Sequence, residues 1–510
     1  MARLPLSVVA LTAPLSIFSQ AALADLTPAQ VWADWRGYME SLGYEIIATE
    51  AARGGDLTVS DVVMTFATPD GESGGSLTFD SIALSQNNDG SVAIALPDTV
   101  PMTVTGNDGL PGSEDFTMTM NFTQTGQVLT ASGDPDALTY LYTADTFGMT
   151  MDQVMMGGAA DGQELASFAM TGANLRSTTK TTLGEMRGYD QSGSLENVAF
   201  DMTFQDPDDP NVSGIFQTSA SSVSMTGVGM LPLAPQGSTD MAALIAAGFD
   251  AKGTLNYADG RSDINVTDAE NGTFKVQTSS KSGGVTVDMS AAGIAYDVAQ
   301  DALNAAVTMQ GMPLPFEVAM AQSGFKIAVP IAKSDEPQDF ALGITLGDLT
   351  LSDMIWGMFD PAGQLPRDPA NIMLDITGKA KVLVDFLNPE TAPRAFGAPG
   401  ELTAVNLRNL LVSVAGARLE SDGAITFDGA AAPMVPGLGS PVGAINIALA
   451  GGNGLMDKLV AMGFLPQDQA MGARMMMGLF AVPGDGPDTL KSKIEFTQDG
   501  RILANGQQIR

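Results

Sequence analysis

Along most of this chain apolar and polar residues alternate with the period of two that a half-buried strand requires. Leu57-Thr58-Val59-Ser60-Asp61-Val62-Val63-Met64 and Leu77-Thr78-Phe79-Asp80-Ser81-Ile82-Ala83-Leu84 set the pattern: apolar residues alternate, slip by one at a polar pair, then alternate again. A strand carrying a bulge produces that slip, and the two segments are predicted to pair as a hairpin. Alternation returns at Phe340-Leu342-Ile344-Leu346 and at Lys493-Ile494-Glu495-Phe496. Residues that tolerate positive φ punctuate the pattern as turn signals: Asp70-Gly71, Asp89-Gly90, Asp108-Gly109, Asp259-Gly260, Asp422-Gly423, Asp499-Gly500 and Asn505-Gly506. The spacing predicts well over a dozen strands in antiparallel meanders.

A helical period interrupts the strands in a few places. Thr27, Pro28 and Gln30 spell a capping box with proline at the first helical position. Val31, Trp32, Trp35, Tyr38, Met39 and Leu42 then form one apolar stripe, and Gly43 before Tyr44 is the expected stop. The same order of helix, glycine and aromatic returns at Met241, Leu244 and Ile245 before Gly248-Phe249, and at Leu455, Met456, Leu459 and Val460 before Gly463-Phe464. An internal duplication and a common way of ending a helix both account for it. A last helix is predicted from near Pro466 to about Phe480; its apolar surface is too broad for one stripe, so it should be largely buried. The predicted fold class is therefore mainly β: long antiparallel meander sheets with a few short amphipathic helices.

Proline-rich joints at Leu231 to Gln236, Asn388 to Pro399 and Pro433 to Pro441 bear on domain organisation, because the first precedes a helix unit. They suggest two β-rich halves, 25–235 and 236–510, the first led by a helix and the second carrying short helices. Residues 1–24 read as a signal peptide, with Arg3, an apolar run from Leu4 to Phe18 and Ala22-Leu23-Ala24 as the cleavage site before Asp25. The product is expected in the periplasm, with no integral membrane segment after cleavage.

Histidine and cysteine are both absent, which removes the commonest general base, every thiol nucleophile and the usual zinc and copper ligands. The chain carries 58 acidic residues against 24 basic ones, so nucleic acid and anionic lipid headgroups are expected to be repelled. Few motifs offer chemistry. Ser177-Thr178-Thr179-Lys180 spells S-x-x-K, but its β-branched surroundings favour a strand, which would send Ser177 and Lys180 to opposite faces. The acidic stretches Asp206-Pro207-Asp208-Asp209-Pro210 and Gly112-Ser113-Glu114-Asp115 lack the ligand spacing of a calcium loop and read as solvated turns. No residue is assigned a catalytic, cofactor-binding or metal-binding role, and no cofactor is expected. The 30 methionines, densest at Met475-Met476-Met477, suit either an ordinary core or a groove that adapts to acyl chains.

Pro337-Gln338-Asp339-Phe340, Leu351-Ser352-Asp353-Met354-Ile355-Trp356, Phe359-Asp360-Pro361 and Leu365-Pro366-Arg367-Asp368-Pro369 together resemble the alphaproteobacterial exported family catalogued as domain of unknown function 2125. Pro441-Val442-Gly443, Gly463-Phe464-Leu465-Pro466, Asp499-Gly500-Arg501-Ile502 and Asn505-Gly506 add to the resemblance. It implies an exported protein with no assigned activity. In pattern alone, the layout of a helix followed by long sheet is similar to AsmA-type envelope proteins, which are associated with outer-membrane lipid handling.

The leading expectation is a noncatalytic envelope protein that binds or shields an apolar ligand, lipid in kind, along a β-lined groove. A structural or protein-interaction module without ligand is the alternative, and a carboxylate-dependent hydrolase comes third.

Overall fold

The computed structural model describes residues 25–67, 74–106, 116–156, 166–206, 209, 211–233, 241–268, 270, 272–311, 315–387, 400–428 and 439–509. The expected signal peptide, the boundary at Pro235, the acidic stretch at 112–115, the joint from Asn388 to Pro399 and the turn signals Asp70-Gly71 and Asp108-Gly109 lie outside the described residues.

Strand makes up 68% of the structure and helix 12%, so the chain is mainly β. The helix α1 (Pro28–Ser41) precedes β1 (Glu45–Arg53), β2 (Asp56–Ala67), β3 (Gly74–Gln86), β4 (Val92–Ala95), β5 (Thr99–Gly106), β6 (Phe116–Thr125) and β7 (Val128–Asp134). Longer strands follow: β8 (Ala137–Met156), β9 (Ala166–Leu183), β10 (Met186–Gln205) and β11 (Val212–Pro232). After α2 (Met241–Ala246) come β12 (Asp250–Asp268), β13 (Gly272–Ser290), β14 (Gly293–Met309), β15 (Phe316–Val329) and β16 (Gln338–Leu351). Then α3 (Asp353–Phe359) leads to β17 (Ala370–Val382), β18 (Gly400–Val414), β19 (Ala417–Asp428) and β20 (Ser440–Ala450). The chain ends with α4 (Gly452–Ala461), α5 (Gln467–Phe480), β21 (Val482–Pro483), β22 (Thr489–Phe496), β23 (Ile502–Ala504) and β24 (Gln507–Gln508).

Among the described residues all 24 strands belong to one antiparallel sheet, in which each strand from β9 to β19 pairs with its neighbours along the chain. The predicted hairpin is present: Leu57 faces Leu84, Val59 faces Ile82, Val62 faces Phe79 and Met64 faces Leu77. Near the Pro97 corner, β4 and β5 share the flank of β3, while β6 and β7 share that of β8. From β8 to β20 each strand pairs with the next, and β11 pairs directly with β12 from Val212↔Asp268 to Met230↔Asp250, so the sheet runs on from one side of residues 234–240 to the other. Among the described residues no pairing joins β1 to the last strands, which leaves the sheet open.

The turn signals split into two kinds. Asp89-Gly90, Asp499-Gly500 and Asn505-Gly506 do make turns, with Gly90, Gly500 and Gly506 at positive φ. Asp259-Gly260 and Asp422-Gly423 lie instead inside β12 and β19. At Gly423 the need is close approach, since a Cβ there would stand 2.3 Å from the Ala444 carbonyl oxygen of β20. Asp259 sits at φ 50 in mid-strand and belongs to a row of such residues: Asn174, Asn197, Ala302 and Asp348 at φ 49 to 51 on β9, β10, β14 and β16. Pairing skips at the same level on consecutive strands, between Ala258 and Gly260 against β13 and between Asp301 and Leu303 against β15. A left-handed residue at each slip keeps the apolar side chains on one face, and Asn or Asp pays less for it than other residues with a Cβ. Tyr257 and Ile264, on opposite sides of Asp259, thus share the face that they would split in an unbroken strand.

Three helices end alike. The amides of Tyr44, Phe249 and Phe464 donate to the carbonyls of Met39, Leu244 and Leu459, and Gly43, Gly248 and Gly463 lie at positive φ. This is the Schellman ending, and it accounts for the shared glycine-aromatic pair. The capping box at Thr27 and Gln30 forms as expected. The expectation of a buried α5 is corrected: Ala470 is buried, but Met471, Met475, Met476 and Leu479 are 58%, 71%, 53% and 63% exposed. Arg474 ties α5 to Asn453 and Asp457 of α4, so the helix rests on its neighbour at the end of the sheet and its apolar side faces out.

The core is concentrated at the start of the chain. Val31 and Trp32 of α1 pack with Leu57, Val59, Val62, Ile82, Leu84, Val92, Ile94, Leu129 and Leu138 in one cluster, with Trp35, Met39, Tyr140 and Tyr142 around it. Full burial of each such side chain contributes about 1.5–3 kcal/mol. The helix therefore clamps the apolar face of the first strands.

Candidate functional site: an apolar sheet face closed at one end

Cross-strand pairs carry the apolar face beyond α1. Leu255 faces Met225 and Val285; Val285 faces Val298; Val298 faces Phe325; Phe325 faces Ile344; Ile344 faces Leu374; and Leu374 faces Leu410. Across β12 to β17 the other face carries charge, with the cross-strand ion pairs Lys275–Asp263 at 3.1 Å and Lys379–Asp339 at 2.8 Å. Such alternation puts water on one side of a sheet and something apolar on the other. On β12 to β15 nothing among the described residues covers the apolar side: Leu255, Phe274, Tyr296, Val298, Met309, Phe325 and Val329 are 36% to 45% exposed.

Two cavities lie where this face approaches α1. The first, about 410 Å³, is held between Trp35, Tyr38 and Met39 of α1 and the sheet residues Phe122, Leu129, Tyr140, Tyr142, Arg187 and Tyr189. The second, about 420 Å³, lies farther along over Met170, Leu195, Phe200, Val223, Met225, Leu255 and Leu303. Between them stands a small cluster of Ala144, Leu175 and Leu195 with Tyr142, Val198 and Met225 packed on it. Both volumes fall within the range of small-molecule sites.

The first cavity has a polar corner. Asp34 of α1 and Arg187 of β10 form an ion pair at 2.7 Å, each side chain under a tenth exposed. The Tyr140 hydroxyl donates to Asp34 at 2.8 Å, and the Arg187 guanidinium lies 5.0 Å from the centre of the Tyr38 ring and 5.7 Å from that of Tyr189. Burial works against the charge on Arg187, but the hydrogen bond and charge of Asp34 outweigh it and raise its pKa. Burial, then the nearby Asp34 charge, pushes the Tyr140 hydroxyl up. Gln124, also buried, donates to the Pro97 carbonyl at 2.9 Å and accepts from the Tyr142 hydroxyl. None of these residues is singled out by motif. Asp34 left one trace in the sequence: it stands three residues after Val31 and four before Tyr38, on the stripe that ought to be wholly apolar.

Ser177 and Lys180 both lie on β9, three residues apart in extended chain, so they project to opposite faces; Ser177 lines the first cavity and Lys180 is exposed outside. Asp206 and Asp209 accept backbone amides in the turn before β11, from Asp209 and Asn211. Among the described residues no group of three or more acidic side chains is arranged to hold a metal. None of their helices is long and apolar enough to cross a membrane, which says nothing about crossing by strands.

The segment that carries the family resemblance forms a tight corner after β16. Arg367 pairs with Asp353 at 2.7 Å and lies 5.5 Å over the Trp356 ring, while buried Asp360 accepts the amides of Gln364 and Leu365, both at 2.8 Å. Those amides, that of Leu365 foremost, hold the Asp360 pKa below its ordinary value. A depressed folded-state pKa stabilises above the unfolded pKa and loses that contribution as pH falls through the folded one. Urea midpoints of the wild type and Asp360→Asn should therefore differ near about pH 6 and draw together as pH falls below the ordinary carboxylate value of about 3.9; a gap that stays constant would remove Asp360 as the corner's clasp.

No family profile and no curated protein matches the chain. Among solved structures, the alcaligin outer membrane receptor FauA of Bordetella pertussis aligns with 90% of this chain and 69% of its own at 10% identity, with a TM-score of 0.13. A likeness that weak bears on neither fold nor function.

Proposed function

We propose that this is an exported, noncatalytic envelope protein that binds or shields an apolar ligand, lipid in kind, along the apolar face of its sheet. One observation carries the reading: on four neighbouring strands Leu255, Tyr296, Val298, Phe325 and Val329 lie exposed together toward one end of the apolar face and the pair Phe274 and Met309 toward the other, with two cavities continuing the same face toward α1. An apolar area of that extent is costly to leave in water and marks a site for an apolar partner. A module whose sheet is covered by its own strands would have buried those seven residues. The resemblance to the exported family, and in pattern to AsmA-type proteins, fits the same assignment.

The test is lipid extraction and native mass spectrometry of the full-length protein secreted to a bacterial periplasm. Acyl chains should copurify, and delipidated protein should take up added palmitic acid. Neither copurification nor uptake would overturn the reading.

A further inference from the structure

We infer that the cavity beneath α1 seats the head of an acyl ligand, with the Arg187 Nε–H and the Tyr189 hydroxyl donating to an acyl carbonyl or carboxyl oxygen. This rests on the apolar-ligand reading above and names the chemistry at one end of the same groove.

Two polar atoms decide it. Arg187 Nε and the Tyr189 hydroxyl are buried without a hydrogen-bond partner, and both residues line the 410 Å³ cavity. They stand two apart on β10, on the same face of the sheet. The Arg187 side chain is only 7% exposed. A buried donor left unpaired is costly, and a guanidinium Nε can only donate, so the missing partner must supply an acceptor.

The surroundings narrow the acceptor. Asp34 already balances the Arg187 charge at 2.7 Å, so the corner has free donors but little net charge to offer. The remaining walls include Trp35, Met39, Leu96, Phe122 and Leu129. A phosphate would enter this apolar chamber undercompensated, whereas an acyl carbonyl needs only the two donors and brings a chain that suits the walls. The second cavity and the open face lie beyond the packed cluster of Ala144, Leu175 and Leu195, on the same side of the sheet.

The experiment uses full-length delipidated protein with decanoic acid, methyl decanoate and decane, read by the fluorescence of Trp35 in the cavity wall. Decanoic acid or its methyl ester should bind at least about tenfold more tightly than decane; preference for the acid points to free fatty acids, and parity points to ester-linked lipids. Replacing Arg187 alone strands Asp34 and risks the fold, so the informative variant is Tyr189→Phe, which removes only an unpaired hydroxyl. It should weaken the oxygen-bearing ligands by roughly threefold to tenfold, leave decane unchanged, and raise thermal stability without ligand. Equal binding of all three compounds, or equal loss of all three in Tyr189→Phe, would assign the donors to a trapped water and overturn the head site while leaving the groove intact. Failure of all three, while longer acyl chains still copurify, would also overturn it. The groove itself falls only when nothing copurifies and palmitic acid is not taken up.

Discussion

Asp34→Ala should cost about 3–5 kcal/mol of unfolding free energy, one of the largest losses available from a single polar side chain here. Asp34 lies against Arg187 at 2.7 Å, and removing its carboxylate leaves a guanidinium buried between the Tyr38 and Tyr189 rings with no counter-charge. The Tyr140 hydroxyl loses its acceptor in the same step. Urea unfolding followed by tryptophan emission reads this directly, because Trp32 is 2% exposed and Trp35 packs beside it on the same helix. The double variant Asp34→Leu/Arg187→Met should recover most of the loss, since a well-packed apolar pair removes the stranded charge. A single-variant cost under about 1 kcal/mol would mean that the pair behaves like a surface salt bridge and does not hold α1 to the sheet.

Leu255→Asp should weaken palmitic acid binding by at least about tenfold, equivalent to about 1.4 kcal/mol, while Thr254→Asp changes it little. The two positions are adjacent on β12 and face opposite sides of the sheet. Leu255 lines the second cavity and is 37% exposed, so a carboxylate there stays partly hydrated in the empty protein and destabilises the fold only modestly. With an acyl chain against it, the same carboxylate must be desolvated. Thr254 bonds to Thr286 on the polar face at 3.0 Å. Equal effects of the two substitutions in equilibrium binding would rule out one-sided occupancy of the sheet.

The β architecture was legible because period-two alternation depends on local sequence, and the hairpin of β2 and β3 paired in the register that its apolar residues dictate. The first helix was legible for the same reason, since Thr27, Pro28, Gln30 and Gly43 act within their own turns. Asp259-Gly260 misled because a turn and a mid-strand slip ask for the same tolerance of positive φ, and only the pairing of neighbours tells them apart. The burial of α5 misled because composition shows how much apolar surface a helix owns, and says nothing of whether a partner stands opposite it. The polar corner was almost invisible: Asp34 and Arg187 are 153 residues apart, and Arg187 carries no local signature at all. The α3 corner escaped because seven residues are too few for a helical period to stand out.

Because each strand from β9 to β19 pairs only with the strands beside it in sequence, extent is an additive quantity in this part of the architecture. Removing or inserting one hairpin within β11 to β16 would change the span by about 10 Å, at roughly 4.8 Å per strand, without asking distant segments to find new partners. Length can thus change by whole hairpins while the clamped end at α1 stays as it is.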